Sequence, residues 1–172
     1  MEVTRYPDPI LRKKAAAVDE INAEVVARAR EMLELMYERR GVGLAAPQVS
    51  WSVQLCVINS TPENRENEIV CVNPVVAEAS GEVVAEEGCL CLPELHGNVP
   101  RATKITCRYY DLEGQRHEVV AEGLLARIFQ HETDHLQGRL IIDRMTPASR
   151  AAVRGRLKEL EREYRSGRRS PA

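Results

Sequence analysis

The strongest constraint on this chain is a helix that has to be buried and yet carries charge. Leu124, Leu125, Ile128, Phe129 and Leu136 recur at helical spacing. The segment from about Gly123 to Gln137 therefore reads as an amphipathic helix, stopped by Gly138. Inside it stands His131-Glu132-Thr133-Asp134-His135. Residues four apart share a helix face, so both imidazoles reach one metal ion. Glu132 is one residue on from His131 and cannot point at the same spot as the two rings. It sits beside the ion, where it takes a proton from a bound water.

The rest of the chain has to pack around that helix. Its 172 residues suit one domain with a terminal appendage. Aromatic residues are only 4%, so the core is mostly aliphatic. A first helix is expected from about Asn22 to Arg39, where Val25, Ala29, Met32, Leu33 and Met36 recur and Gly41 ends the pattern. Strands are expected at Val53–Ile58, at Glu68–Val72 and at Val75–Glu78, the last two broken by Asn73-Pro74. Ile105, Cys107 and Tyr109 alternate with polar neighbours, and Asp111-Leu112-Glu113-Gly114 turns that strand into Gln115–Ala121. A third helix should run from near Pro147 to Tyr164. Strands cluster in the middle instead of alternating with helices, so the expected class is α+β. Short antiparallel or mixed strands would pack around a central metal-binding helix, with a C-terminal helix appended. Residues 1–146 then form the catalytic unit and 147–172 a basic helix and tail.

Composition narrows the setting. No stretch approaches the roughly 20 apolar residues of a membrane span. Met1 to Ile10 carries Glu2, Arg5 and Asp8 without an apolar run, so no signal peptide and no membrane partner are expected. Five cysteines without an export signal read as reduced thiols of a cytoplasmic protein.

A catalytic site of this kind needs a third protein ligand and an open position. The segment Glu86-Glu87-Gly88-Cys89-Leu90-Cys91-Leu92-Pro93 offers one. Cys89 as thiolate completes a Cys, His, His set. Cys56, Cys71 and Cys107 lie in strand-like runs and read as small buried hydrophobes. His96 and His117 read as non-ligands. A further segment, Gly41-Val42-Gly43-Leu44-Ala45-Ala46-Pro47-Gln48, is dense in small residues that allow close backbone approach, and Gln48 adds a neutral amide donor at its end.

Taken together, Gly41 to Gln48, Glu87 to Leu90, and Gln130 to His135 resemble, in order and spacing, the three signature motifs of peptide deformylases. Tyr6-Pro7-Asp8-Pro9-Ile10-Leu11-Arg12 also looks like that family's opening segment. The resemblance covers about Tyr6 to Met145. It implies hydrolysis of the N-formyl group from the initiator methionine of nascent peptides, with release of formate. It implies one divalent metal ion on Cys89, His131 and His135, Fe(II) by preference, with zinc, nickel or cobalt as substitutes. It makes Glu132 the general acid and base, and Gln48 and the Leu90 backbone N–H the donors to the developing oxyanion. Gly43 would pair with the peptide backbone. Val42, Leu124 and Ile128 would wall the methionine slot, and the stem of Arg127 would line its mouth. Glu87 and Asp134 are candidates to orient the ligands, with Arg101 paired to Glu87.

Two rivals follow from the same residues. A metallopeptidase shares the His-Glu-x-x-His pattern. A closed structural zinc site would use Cys89, Cys91, His131 and His135, since this chain has Cys91 where many family members have Ser. In an extended segment the two cysteines lie about 6.5–7 Å apart. Two thiolates on one zinc sit only about 3.8 Å apart, so the closed site needs a turn at Leu90. The tail from Ser149 to Ala172 carries eight basic and three acidic residues, although the whole chain has a net charge of -2. The resemblance implies that such a helix can dock on the ribosome near the nascent-chain exit, which makes the ribosome a candidate partner.

Overall fold

A computed structural model describes residues 1–167. The first helix, α1 (Ala23–Glu38), begins where the Asn22 side chain accepts from the Val25 N–H. Seven strands follow: β1 (Gly43–Ala45), β2 (Leu55–Ile58), β3 (Ile69–Ser80), β4 (Val83–Cys89), β5 (Leu92–Arg101), β6 (Lys104–Tyr110) and β7 (Arg116–Glu122). The polypeptide then enters α2 (Gly123–Leu136), a short α3 (Ile141–Arg144), α4 (Pro147–Ala152) and α5 (Arg154–Arg165). Five strands form one antiparallel sheet in the order β1-β2-β3-β6-β7, and β4 and β5 form a separate hairpin. This is the α+β class with strands gathered against a central helix.

Alternation along β2 explains the layering. Leu55 and Val57 turn to α1 and join Ala29, Met32, Leu44 and Val72 in one core cluster. Cys56 and Ile58 turn the other way, toward Ala126, Ile128 and Phe129 of α2. Successive strand residues face opposite sides, so a strand buried on both faces has no polar positions, and all four residues of β2 are buried. Cys56, Cys71 and Cys107 lie in the α2-facing layer with no exposed surface, as small apolar fillers. A third cluster joins the hairpin to the chain's end, with Leu11, Leu92, Leu95, Val99, Ile142 and Leu160 buried together.

Three elements differ from expectation. Asn73-Pro74 does not break the strand. β3 runs through it with a register shift between Val72 and Val75, because Asn73 takes a left-handed φ of 51° and its side chain pairs with both the N–H and C=O of Val18. The Asn73 N–H stays partnered at the bulge by the Gln54 carbonyl, and its side chain ties β3 to the segment holding Val18. The third helix is divided at Val153 into α4 and α5, next to Gly155, a poor helix residue. The β4–β5 hairpin was expected only as a motif-bearing segment. Its strands are long, but Gly, Pro and charged residues mask their period.

Candidate active site

α2 brings its polar residues to the inner end of a cavity of about 800 Å³ lined by Gly43, Gln48, Cys89, Leu90, His131 and Glu132. The cavity lies between two strand edges. Among the described residues β1 pairs only with β2, and β4 only with β5. Gly43 on one edge and Glu86 to Cys89 on the other both line it. Gly43 is required by space. A Cβ there would lie 2.3 Å from Glu132 Oε1 and 2.9 Å from Ile128.

The turn at Leu90-Cys91 delivers Cys89 to the helix. Cys89 Sγ is 3.2 Å from His135 Nε2, which is 3.2 Å from His131 Nε2. The three donor atoms all lie within 4.8 Å of one another. Donors on a single tetrahedral zinc are separated by about 3.3–3.6 Å, so the spacing fits one ion. The donor chemistry fits too: one thiol and two imidazoles suit zinc, iron, cobalt or nickel. Cys91 is outside this group, although its Sγ is only 3.2 Å from Cys89 Sγ. The extended-strand distance therefore does not hold, because the hairpin reverses at Leu90-Cys91. The closed four-ligand set is not assembled: the converging donors are Cys89, His131 and His135, and Cys91 is buried with Leu11, Leu92 and Leu95.

A buried ionic network holds the parts together. His131 Nδ1 meets Glu87 Oε2 at 3.1 Å, which leaves Nε2 facing the cluster. Glu87 receives two hydrogen bonds from Arg101, and Arg101 Nη1 also donates to Asp134 Oδ2 at 2.5 Å. Arg144 closes the other side of Asp134. The Asp134 carboxylate is thus bonded to Arg101 and Arg144 and not to an imidazole. It anchors Arg101. Burial opposes ionisation of Glu87, but hydrogen bonds from His131 and Arg101 outweigh it and take the carboxyl down to about 2. His135 Nδ1 is buried without a protein partner, so Glu87 orients one ring only.

Glu132 is treated in the opposite way. Burial pushes its carboxyl up to about 7, against the pull of His131 and Arg101, and Oε2 has no protein partner. Gln48 is fixed as a donor: its Oε1 accepts from the Ala45 N–H at 2.7 Å, which turns Nε2 toward Cys89 Sγ at 3.4 Å. Hydrogen bonding to Cys91, with burial, holds the Cys89 thiol up at about 11.

A family model for polypeptide deformylase matches residues 1–151. This chain belongs to the polypeptide deformylase family. A peptide deformylase of Endomicrobium trichonymphae is 43% identical over 158 residues, covering 92% of this chain and 94% of that protein. The structure of the Plasmodium falciparum peptide deformylase superposes with a TM-score of 0.93 at 40% identity, over 98% of this chain and 100% of that one. An Arabidopsis thaliana peptide deformylase superposes with a TM-score of 0.91 at 40% identity, over 100% of this chain and 97% of that one. Deformylases are metal-dependent amide hydrolases, and the Cys89-His131-His135 cluster is where a deformylase ion fits in this fold.

Of the remaining deformylase residues expected from sequence, Leu124, Arg127 and Ile128 line the cavity. Arg127 is tied across it, donating from Nη2 to the Glu86 carbonyl at 2.7 Å. Val42 is not among the lining residues. It packs against the cluster beneath α2, because the turn into β1 points it away. Arg5, His96 and Tyr164 line the cavity without having been expected there. They come from distant segments, and only tertiary packing assembles them.

The Glu132 carboxyl gives a pH test on chelator-treated protein. Its folded value near 7 is above the ordinary value of 4.5. Between these the folded state keeps a proton that the unfolded chain has released, so stability falls as pH rises. Urea unfolding at pH 4.5 and 7 should show wild type losing about 3 kcal/mol more than Glu132→Gln across that interval. Equal losses would mean that Glu132 is not held in a desolvated site.

Proposed function

We propose that this chain hydrolyses the N-formyl group of formyl-methionyl peptides through the Cys89, His131, His135 cluster, with Glu132 as the proton carrier. The observation that carries the proposal is a buried carboxylate oxygen of Glu132 without a partner beside three converging ligand atoms. A divalent ion held there lowers the pKa of water toward neutrality and polarises the formyl oxygen. Glu132, balanced near pH 7, accepts the proton of the attacking water and delivers it to the leaving amine. Gln48 Nε2 and the Leu90 backbone N–H donate to the formyl oxygen as charge develops on it. Gly43, on an edge strand, pairs with the extended peptide backbone. Leu124 and Ile128 form an aliphatic wall for the unbranched methionine side chain, and the Arg127 stem borders the entrance. The products are formate and a free N-terminal methionine.

Fe(II) is the proposed native metal, with zinc, nickel or cobalt as substitutes. No described helix is long and apolar enough to cross a membrane, and the cytoplasm is the proposed location. Residues 1–146 are proposed as the catalytic unit and 147–172 as the appended helix and tail. α5 rests on the body through Leu157 and Leu160, while Arg150, Arg154, Lys158, Arg162 and Arg165 are exposed. This exposed basic row supports the ribosome as a partner. Arg168 and Arg169 lie outside the described residues.

Formate release from formyl-Met-Ala, measured with each metal on anaerobically purified protein, tests the reaction. Glu132→Gln should keep its metal and lose about 10²–10⁴-fold in kcat/KM, and Cys89→Ser should lose the metal. Cleavage only of a blocked internal peptide bond would instead establish a metallopeptidase.

The tail makes a separate prediction. Replacing the exposed Arg154, Lys158, Arg162 and Arg165 by Gln should weaken ribosome binding and make its salt dependence shallower, with turnover of the short peptide retained. Unchanged binding would make α5 purely structural.

A further inference from the structure

Cys91 is absorbed by none of the chemistry above, yet its sulfur is 3.2 Å from that of Cys89. The hairpin holds this pair deliberately close. Cys89 pairs with Leu92 across the turn, with a register shift just before it, and the Tyr6 N–H donates to the Cys91 carbonyl at 2.9 Å. Cys91 itself has no exposed surface and sits in the Leu11, Leu92, Leu95 cluster. Cys89 lines the open cavity. The two thiols therefore differ in access: a small oxidant in the cavity meets Cys89 first, with Cys91 directly behind it.

We propose that Cys89 and Cys91 are a reversible oxidation site, in which a peroxide converts them to an intrachain disulfide that releases the active-site metal. Cys89 sulfur attacks one oxygen of hydrogen peroxide, the O–O bond breaks, and Cys89 becomes a sulfenic acid with loss of one water. Cys91 sulfur then attacks the Cys89 sulfur, the S–O bond breaks, and the departing hydroxide takes the Cys91 proton as a second water. Two thiols and one peroxide give one disulfide and two waters. A disulfide bond is about 2.05 Å long, so the sulfurs need to approach by only about 1 Å. A disulfide sulfur has no anionic lone pair for the ion, and the donor set falls to two imidazoles. This last step rests on the reading of Cys89 as a metal ligand.

Alone, Cys89 would proceed from sulfenic to sulfinic and sulfonic acid, which thiols do not reverse. Cys91 is thus a resolving residue that trades a temporary loss of metal for protection of the ligand. The other close pair, Cys56 and Cys71, lies opposite across β2 and β3 with no exposed surface, out of reach of the cavity.

The test uses zinc-loaded full-length protein exposed to hydrogen peroxide. Released zinc is followed with a chromophoric chelator, and thiol status by mass spectrometry after cleavage at glutamate. Wild type should lose two hydrogens in the peptide holding Cys89 and Cys91, lose its zinc in step, and recover both thiols and zinc binding after a phosphine reductant and added zinc. Cys91→Ser and Cys91→Ala should bind zinc before oxidation, then accumulate sulfinic and sulfonic acid at Cys89 that the phosphine does not reverse. The same irreversible products in wild type, or a disulfide at Cys56 and Cys71 instead, would overturn the proposal. Formation of the Cys89–Cys91 disulfide with zinc still bound would overturn the coupling to the metal and remove Cys89 from the ligand set.

Discussion

Arg101 is the residue on which the site depends. The residue is 5% exposed, and its guanidinium ties Glu87 of β4 to Asp134 of α2. The cysteine of the cluster comes from a hairpin and the histidines from a helix, and the hairpin stands apart from the main sheet. Two parts that meet only through side chains need a directional joint, and a planar guanidinium between two carboxylates provides one. A buried ion pair adds little net stability, because desolvation offsets attraction. Losing one partner is costly, however, since the remaining charges stay buried and unpaired. The network therefore sets position more than stability. It places Glu87 against His131 Nδ1, which turns Nε2 toward Cys89.

The same burial acts on two carboxyls with opposite results. Glu87 has cationic and imidazole partners and is held near 2, while Glu132 has a partnerless oxygen and is held near 7. One is a permanent anion that orients a ring. The other, raised toward neutrality by burial, is the one proposed to carry the proton. Environment assigns the two roles, as it does wherever a pair of carboxyls divides structural and acid–base work.

The helix-borne part of the site was readable in advance, because a 3.6-residue period ties sequence spacing directly to direction in space. His131, His135 and Glu132 could be assigned to faces without a fold. The β6–β7 hairpin was readable too, since its alternation and its Asp-Leu-Glu-Gly turn agree. The β4–β5 hairpin was not. The sulfur distance there is set by a two-residue turn and a register shift, neither of which has a strong residue signature at Leu90-Cys91. Val42 shows the same limit on a smaller scale. One residue before a three-residue strand, its direction depends on a turn that composition does not specify. Arg5, His96 and Tyr164 reach the cavity from positions whose meeting depends on packing alone.

The proposed hydrolysis needs an open site with one sulfur ligand. X-ray absorption spectroscopy of zinc-loaded protein measures this directly. One sulfur near 2.3 Å, with about three nitrogen or oxygen neighbours near 2.0–2.1 Å, is the expected first coordination sphere. Two sulfurs and two nitrogens, with no oxygen, would show that Cys91 joins Cys89 in a closed structural site and would contradict the catalytic reading.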